Sequence, residues 1–267
     1  MVIASSMPST KVAAIAALVL AVILALRFGE PGTTEWSGSA ECYGPDESET
    51  DPSSQRRIDV DRRALNVAQP RLVPKFTRIG YEHGAMPPAL LAKMNAFFDA
   101  HRTQKVKERI PVLDYGFGRL SDEATHPDIV QLTPDLRNEI GAILLPIVEE
   151  WSGVKAEFTM TYGIRSYNNH TFLKRHVDRI ETHVLSVILH LRHDVDRKWP
   201  LTIIGHDGAE RMLDMQAGDM VLYEGARCVH GRPFNLLGKN WVNAFVHFAP
   251  KQWTRGVDYD VIGKRFA

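Results

Sequence analysis

Two stretches in the second half of the chain decide its fold, HVDRIETHVLSVILHL (176–191) and HGRPFNLLGKNWVNAFVHF (230–248). The first is rich in β-branched residues and the second in aromatic residues, and both classes are typical of strands. In an extended chain the side chains of residues i and i+2 point the same way, so His176 and Asp178 can converge on one point. His230, on a distant strand, would add a second imidazole. The pattern predicts a metal site made of His176, Asp178 and His230.

This set of side chains favours a particular metal chemistry. Two imidazoles and one carboxylate on one side of a metal leave positions open for other ligands, which suits non-haem Fe(II). Lys239, nine residues after His230, could pair with the far carboxylate of a bound dicarboxylic acid, and Arg232 is a second basic candidate. Two alternatives stay open at this point. The tripeptide at 176–178 could be a surface turn, and Lys239 could be a solvated turn residue.

A His-x-Asp tripeptide alone is a weak signal, because the chain has 11 histidines. It contains a second such tripeptide, His126-Pro127-Asp128, just ahead of a predicted helix. Proline cannot donate a hydrogen bond to a sheet, so we interpret this second tripeptide as a loop. The tripeptide at 176–178 is distinguished by the residues that follow it in the sequence, His230 and Lys239. A metal-dependent hydrolase with the same three ligands is a further alternative, but no neighbouring general base accompanies them.

The N-terminus has the features of a membrane anchor. Residues 12–26 are an uninterrupted apolar run between Lys11 and Arg27. At 1.5 Å per residue the run spans roughly 22–26 Å, which is short for a transmembrane helix but sufficient in a thin bilayer. The sequence therefore predicts a cytosolic tail and signal-anchor helix over residues 1–28. A cleaved signal peptide is the alternative.

The segment after the anchor has the composition of a linker. Residues 29–70 are rich in Gly, Pro, Ser, Thr and acidic residues, which predicts a flexible acidic stem. The positive-inside bias weakly favours a type II orientation, with residues 71–267 as one domain in the lumen of the endoplasmic reticulum or Golgi. Charge over that domain is nearly balanced, which argues against nucleic acid as a partner. The two cysteines, Cys42 and Cys228, leave a disulfide between stem and domain as an open alternative.

The domain combines helical patterns with a series of short strands. Pro88 begins a helical pattern that runs to His101, and Pro134 begins another that runs through Trp151. Six β-rich segments follow, separated by turn residues, at 155–162, 184–191, 201–204, 220–223, 227–230 and 241–248. This order predicts an α+β fold, an antiparallel double-stranded β-helix (jelly roll) backed by N-terminal helices.

These motifs resemble the Fe(II)- and 2-oxoglutarate-dependent dioxygenases, and among them the prolyl 4-hydroxylase group. The resemblance covers residues 86–250. In that family a Tyr precedes His-x-Asp by nine residues, as Tyr167 does here, and Gly238-Lys239-Asn240-Trp241 keeps the family's Gly and Trp offsets with Lys and Asn exchanged. The family's Gly-Gly-x-Thr-x-Phe-Pro segment is missing, and PLTIIGHDG (200–208) takes its place.

The resemblance implies a set of cofactors and roles. Fe(II) would bind the three predicted ligands, with 2-oxoglutarate and O2 at the open positions and ascorbate as an auxiliary reductant. Tyr167 and Lys239 would hold the far carboxylate of 2-oxoglutarate, with Arg232 as the substitute for Lys239, although Tyr167 could equally be a core aromatic. Further pocket candidates are His190, Asn169 and Asn243, whereas His183, His193, His206 and His247 are expected to be structural.

The resemblance also implies a substrate, a prolyl residue of a secretory-pathway protein or peptide. Two alternatives remain at this point. The same iron chemistry could hydroxylate a small molecule or another side chain. The domain could also be a non-catalytic, membrane-tethered β-sandwich that binds a partner.

Overall fold

The computed structural model describes residues 56–108 and 126–254. Three helices lie in these ranges, α1 (Arg56–Leu72), α2 (Pro88–His101) and α3 (Pro134–Ser152), with a short 3-10 helix at Arg102–Gln104. In this part of the chain no helix is long and apolar enough to cross a membrane. The predicted anchor over residues 1–28, most of the predicted stem and Cys42 lie outside the described residues.

Eleven strands form two antiparallel sheets in the described ranges. They are β1 (Tyr81–Ala85), β2 (Val106–Lys107), β3 (Asp128–Gln131), β4 (Ala156–Tyr167), β5 (Leu173–His176), β6 (Leu185–Val195), β7 (Leu201–Ile204), β8 (Glu210–Leu213), β9 (Asp219–Tyr223), β10 (His230–Arg232) and β11 (Gly238–Pro250). One sheet has the order β1-β9-β6-β11-β4-β3-β2 and the other β5-β10-β7-β8. Two antiparallel sheets accompanied by helices confirm the predicted jelly-roll architecture.

The large sheet has an apolar layer on each face. In β6, Val187, Leu189 and Leu191 share a core with the buried residues of α2 and α3, whereas Ile188 belongs to a second core with residues of the small sheet. Successive side chains of a strand point to opposite faces, so both faces of this central strand must be apolar. The second core fills the space between the two sheets and contains Tyr167, Trp199 and Trp241.

Local sequence signals account for helices α2 and α3. Both begin with proline at the first turn, where the missing N–H costs nothing. In α3, Thr133 Oγ1 accepts the N–H of Leu136 at 3.3 Å, and Gly153 ends the helix at φ 71°, a conformation that glycine adopts without steric cost. The predicted bounds of both helices are confirmed to within one residue.

The structure differs from the sequence predictions at three places. The segment predicted to be flexible up to residue 70 contains α1, whose buried Leu65 and Gln69 pack against the domain. The predicted loop at residues 126–128 ends in β3, which starts at Asp128. The strand predicted at 227–230 begins only at His230. In each case contacts from distant segments, which local patterns do not reveal, decide the local structure.

Candidate metal centre

Pairing between β5 and β10 brings the two histidines of the predicted site together. His176 lies directly opposite His230 in the ladder, and their ring centroids are 4.5 Å apart. Gly231 permits this close pairing, because a Cβ there would lie 2.8 Å from the carbonyl oxygen of Leu173. Asp178 follows the end of β5, and its Oδ1 is 3.6 Å from His176 Nε2 and 3.7 Å from His230 Nε2. The structure thus brings the predicted triad together.

The backbone fixes the orientation of both imidazoles. His176 Nδ1 is 2.7 Å from the carbonyl oxygen of Lys174, and His230 Nδ1 is 2.8 Å from that of Cys228. A carbonyl only accepts, so each Nδ1 carries the proton and each Nε2 presents a lone pair towards Asp178. A metal-binding histidine usually donates its other ring N–H to a carbonyl or carboxylate in this way. One ligand atom from each of the three residues lies within 4.8 Å of the others, which is compatible with a shared metal ion.

A second set of contacts holds the carboxylate of Asp178. Ser186 Oγ donates to Asp178 Oδ2 at 3.1 Å and lies 2.9 Å from His247 Nδ1. The backbone N–H of Asp178 donates to the carbonyl oxygen of Gly225 at 2.8 Å. Gly225 has no room for a side chain, because a Cβ there would lie 2.3 Å from Asp178 Oδ2. With Oδ2 occupied by Ser186, Asp178 presents Oδ1 to the metal position.

The charges of the triad suit a cation. Burial alone would raise the pKa of Asp178, but the neighbouring imidazoles of His230 and His176 hold it well below its usual range. Burial lowers the pKa of His230 to about 4, although Asp178 opposes that shift. At neutral pH the site therefore offers a carboxylate and an uncharged imidazole of His230, which are the protonation states that metal ligands need.

A buried arginine lies in the core between the two sheets. Arg232 is almost fully buried, and its guanidinium carbon lies 4.8 Å from the ring centre of Trp199 and 4.5 Å from that of Trp241. It donates to the carbonyl oxygen of Trp199 and to Met215 Sδ. Among the described residues no carboxylate forms an ion pair with it. Burial lowers the pKa of Arg232 to about 9, which reflects the cost of keeping this charge away from water.

Tyr167 lies in the same core as Arg232. It ends β4 opposite Trp241, and its ring meets that of Trp199 edge-on at 5.0 Å. Arg165 Nη1 donates to the Tyr167 hydroxyl at 3.3 Å while forming a two-pronged ion pair with Glu108 at 2.5 and 2.6 Å. Charge interactions with Tyr167 and Asp214 partly oppose the lowering of the Arg232 pKa by burial.

The structure does not bring Lys239 to the site. Its side chain is 80% exposed, and its Nζ forms an ion pair with Asp194 at 2.8 Å. The pairing of β11 with β6 is irregular between Gly238 and Asn240, so Lys239 lies at a bulge. A bulge redirects side chains, which explains why the spacing along the sequence did not give the direction of Lys239. Lys239 is solvated, as the alternative expected, but it lies at the start of β11 and not in a turn.

The other candidates divide between core and surface. His190 and Asn243 are buried and bond to each other at 2.7 Å, and His190 stacks on Trp241 at 4.0 Å. Asn169 accepts the N–H of Gly238 at the start of β11. His183 and His247 stack at 3.7 Å behind Asp178. Sequence reasoning missed three residues at the site, Ser186, Asn66 and Gln69, of which the last two belong to α1.

Comparison with known proteins rests on three-dimensional structure alone. No family model matches the sequence, and no curated protein is detectably similar to it. SnoN, a non-haem α-ketoglutarate-dependent epimerase from nogalamycin biosynthesis, superposes with a TM-score of 0.51 at 12% identity, over 70% of this chain and 84% of SnoN. AviO1 from Streptomyces viridochromogenes Tue57 gives 0.50 at 14% identity, over 72% and 96%.

The chain has the fold of the 2-oxoglutarate-dependent iron oxygenases. This confirms, at the level of the fold, the resemblance inferred from the motifs. A prolyl-4-hydroxylase from Pseudomonas putida is also similar, at 16% identity over 70% of this chain and 99% of that protein, with a TM-score of 0.46. A likeness at that level carries no information about the substrate.

Proposed function

We propose that the protein is an Fe(II)- and 2-oxoglutarate-dependent hydroxylase. One observation carries the proposal: the ligand atoms of His176, Asp178 and His230 converge within 4.8 Å, in a fold whose solved members include α-ketoglutarate-dependent enzymes. Two imidazoles and one carboxylate are the donor set that suits non-haem Fe(II). SnoN, which shares the fold, is described in complex with Fe3+ and α-ketoglutarate.

The bound iron, with 2-oxoglutarate and O2, supplies the oxidising power for hydroxylation, and the protein supplies binding and orientation. Overall, 2-oxoglutarate and O2 become succinate and CO2, and one oxygen atom enters the substrate. His176 and His230 would hold the metal through Nε2, while the N–H at each Nδ1 donates to a backbone carbonyl oxygen. Asp178 supplies the negative charge that a dication requires.

Arg232 is the residue that we assign to the far carboxylate of 2-oxoglutarate. It is a buried cation on β10, two residues after His230, and among the described residues no carboxylate forms an ion pair with it. The charge of Asp214 acts on Arg232, but the Asp214 carboxylate forms its own ion pair with Lys198 at 2.6 Å. A dicarboxylic acid that enters between the sheets would supply that partner and offset the cost of burial. Tyr167 adds a hydroxyl to the same region. Both groups suit charge-assisted hydrogen bonds to a carboxylate.

The walls of this region exclude water. Trp199, Trp241, Tyr223 and Met215 are all almost fully buried around Arg232 and His230. Electrostatic attraction strengthens when water is excluded, so one guanidinium there can bind a carboxylate tightly. Exclusion of water also protects a reactive oxidant from side reactions.

For the substrate we propose a prolyl residue in a secretory-pathway protein or peptide, hydroxylated at carbon 4, as the sequence motifs imply. The purified full chain with Fe(II), ascorbate and 2-oxoglutarate is expected to add roughly 16 daltons to proline-containing peptides, the mass of one oxygen atom. Mass spectrometry of a proline-rich peptide library tests this, with proline-to-alanine peptides as the control. Succinate formation without any modified proline would favour the alternative, a small molecule or another side chain.

We also propose a type II membrane protein whose domain lies in the lumen of the endoplasmic reticulum or Golgi. The support is the apolar run at 12–26, Lys11 before it and the acidic segment after it. In intact microsomes the domain is expected to resist added protease and to become sensitive once detergent is present. Digestion without detergent would contradict the proposed orientation.

A further inference from the structure

Helix α1 covers an open edge beside the metal centre. Among the described strands, β5 pairs only with β10, so its other edge presents unpaired backbone groups. The side chain of Asn66 takes two of them. Its Nδ2 donates to the carbonyl oxygen of Arg175 at 2.9 Å, and its Oδ1 accepts the N–H of Val177 at 3.1 Å. One amide therefore holds the backbone on both sides of His176.

Gln69, one turn further along α1, holds the next ligand. Its Nε2 donates to the carbonyl oxygen of Asp178 and to that of Ala226, both at 2.7 Å. The first contact fixes the backbone of a ligand, and the second fixes the loop that leads to His230. Gln69 is 1% exposed, so these bonds are shielded from competing water. A single side chain thus ties the two ligand-bearing segments together.

The end of α1 is attached to the same loop. Arg227 donates to the carbonyl oxygens of Pro70 and Val73, and Val73 is buried in the domain core. The position of α1 is therefore linked to the loop before β10 as well as to β5. Movement of α1 away from the domain would release Asn66 and Gln69 from the ligand segments at the same time.

We propose that Asn66 and Gln69 are positioning residues for the metal ligands, so that metal binding and docking of α1 stabilise each other. The inference rests on the proposed metal function. Outer contacts that orient ligand segments typically change metal affinity by 10- to 100-fold. Coupling between two equilibria is reciprocal, so a helix that favours metal binding must itself be held more firmly once the metal is bound.

Amide hydrogen exchange of the wild-type full chain tests the coupling without any substitution. Co(II) is the probe, because its visible spectrum reports ligand geometry and it is stable in air. Saturating Co(II) is expected to slow exchange of the backbone amides in residues 64–72. Exchange in α3, which is remote from the triad, is expected to stay unchanged and is the internal control.

Substitutions then separate positioning from packing. Asn66→Ala and Gln69→Leu are each expected to lower Co(II) affinity by about tenfold, to change the Co(II) spectrum and to abolish the protection of α1 by metal. Alanine has a higher helix propensity than asparagine, so helix loss would not explain the effect of Asn66→Ala. Asn66→Asp keeps the acceptor for Val177 and should lie between wild type and Asn66→Ala. Val67→Ala, at a 59% exposed position of α1, is the matched control.

Three outcomes decide the matter. Co(II)-dependent protection in wild type and its loss in the two variants would support the inference. Wild-type affinity and spectrum in both variants, or α1 exchange that ignores Co(II), would overturn the inference and leave the metal site intact. Failure of the wild-type chain to bind Co(II) at all would remove the proposed metal function, and the coupling with it.

Discussion

Replacing Arg232 by Met is expected to weaken 2-oxoglutarate binding by about 100-fold or more. Loss of one partner from a buried, hydrogen-bonded charge pair typically costs 2–5 kcal/mol, since the other charge is left buried and unpaired. Met has a similar length and fills the space between Trp199 and Trp241 without a charge. Titration of the metal-loaded protein with 2-oxoglutarate under anaerobic conditions measures the effect.

Stability in the absence of 2-oxoglutarate distinguishes this role from a structural one. A buried guanidinium without a carboxylate partner is costly, so Arg232→Met is expected to keep or raise the melting temperature of the free protein. Arg232→Lys keeps the charge but loses the planar fork, and should bind 2-oxoglutarate with intermediate affinity. A large drop in melting temperature with unchanged 2-oxoglutarate affinity would assign Arg232 to the fold instead.

Lys239→Ala is the matched control for this prediction. The ion pair of Lys239 with Asp194 is exposed to solvent, contributes little to stability and lies outside the core. 2-Oxoglutarate affinity is therefore expected to change by less than about threefold. If Lys239→Ala weakens binding strongly and Arg232→Met does not, the co-substrate is held as the sequence spacing predicted.

Substitution of a triad residue is expected to have the second large effect. Asp178→Ala and His230→Ala should each lower Fe(II) affinity by more than about 100-fold, beyond what loss of an outer contact costs. Each removes one of the three converging ligand atoms, and Asp178→Ala also removes the carboxylate of the set. Metal content after anaerobic gel filtration, measured by elemental analysis, reports the loss.

His83→Ala is the control for the triad. It removes an imidazole that pairs with Asp219 at 2.9 Å, outside the triad. This variant should retain one Fe(II) per chain. Retention of wild-type iron by the Asp178 and His230 variants would contradict the assignment of the ligands.

The convergence of His176, Asp178 and His230 could be predicted from the sequence, because a few residues at characteristic spacings define it. The order of Tyr167, His176, Asp178 and His230 carried the resemblance, and a ladder in which His176 faces His230 follows from the fold. The helices at 88–101 and 134–152 were equally accessible, since proline and a hydrophobic stripe mark them locally. The helices depend on local sequence patterns, and the pairing of His176 with His230 depends on the strand order of the fold.

The direction of Lys239 could not be predicted, because it depends on an irregular pairing of β11 with β6. A bulge arises from how two strands fit, and a residue count along one strand does not reveal it. The sequence did contain a signal for the position of Arg232, because it lies two residues after His230 on the same strand. Both residues are buried. Alternation along the strand could have ranked it ahead of Lys239.

Neither the formation of α1 nor its contacts with the ligand segments could be predicted from the sequence. Its segment begins next to a stretch rich in small and acidic residues, so composition favoured a flexible stem. The helix is held by contacts of Asn66 and Gln69 with residues more than 100 positions away. Tertiary contacts of this kind override weak local propensity, and single-sequence patterns do not contain them.

The most direct test of the proposed Fe(II)- and 2-oxoglutarate-dependent activity is succinate formation by the purified full chain, supplied with 2-oxoglutarate but no added substrate. Slow turnover of 2-oxoglutarate needs only the metal site and the co-substrate site, so the result does not depend on knowing the substrate. Succinate formation is expected to require both Fe(II) and O2, to disappear with a chelator and to be absent in Asp178→Ala. Succinate formation that persists without iron would contradict the proposed function. So would a wild-type chain that binds neither Fe(II) nor, in the presence of Fe(II), 2-oxoglutarate.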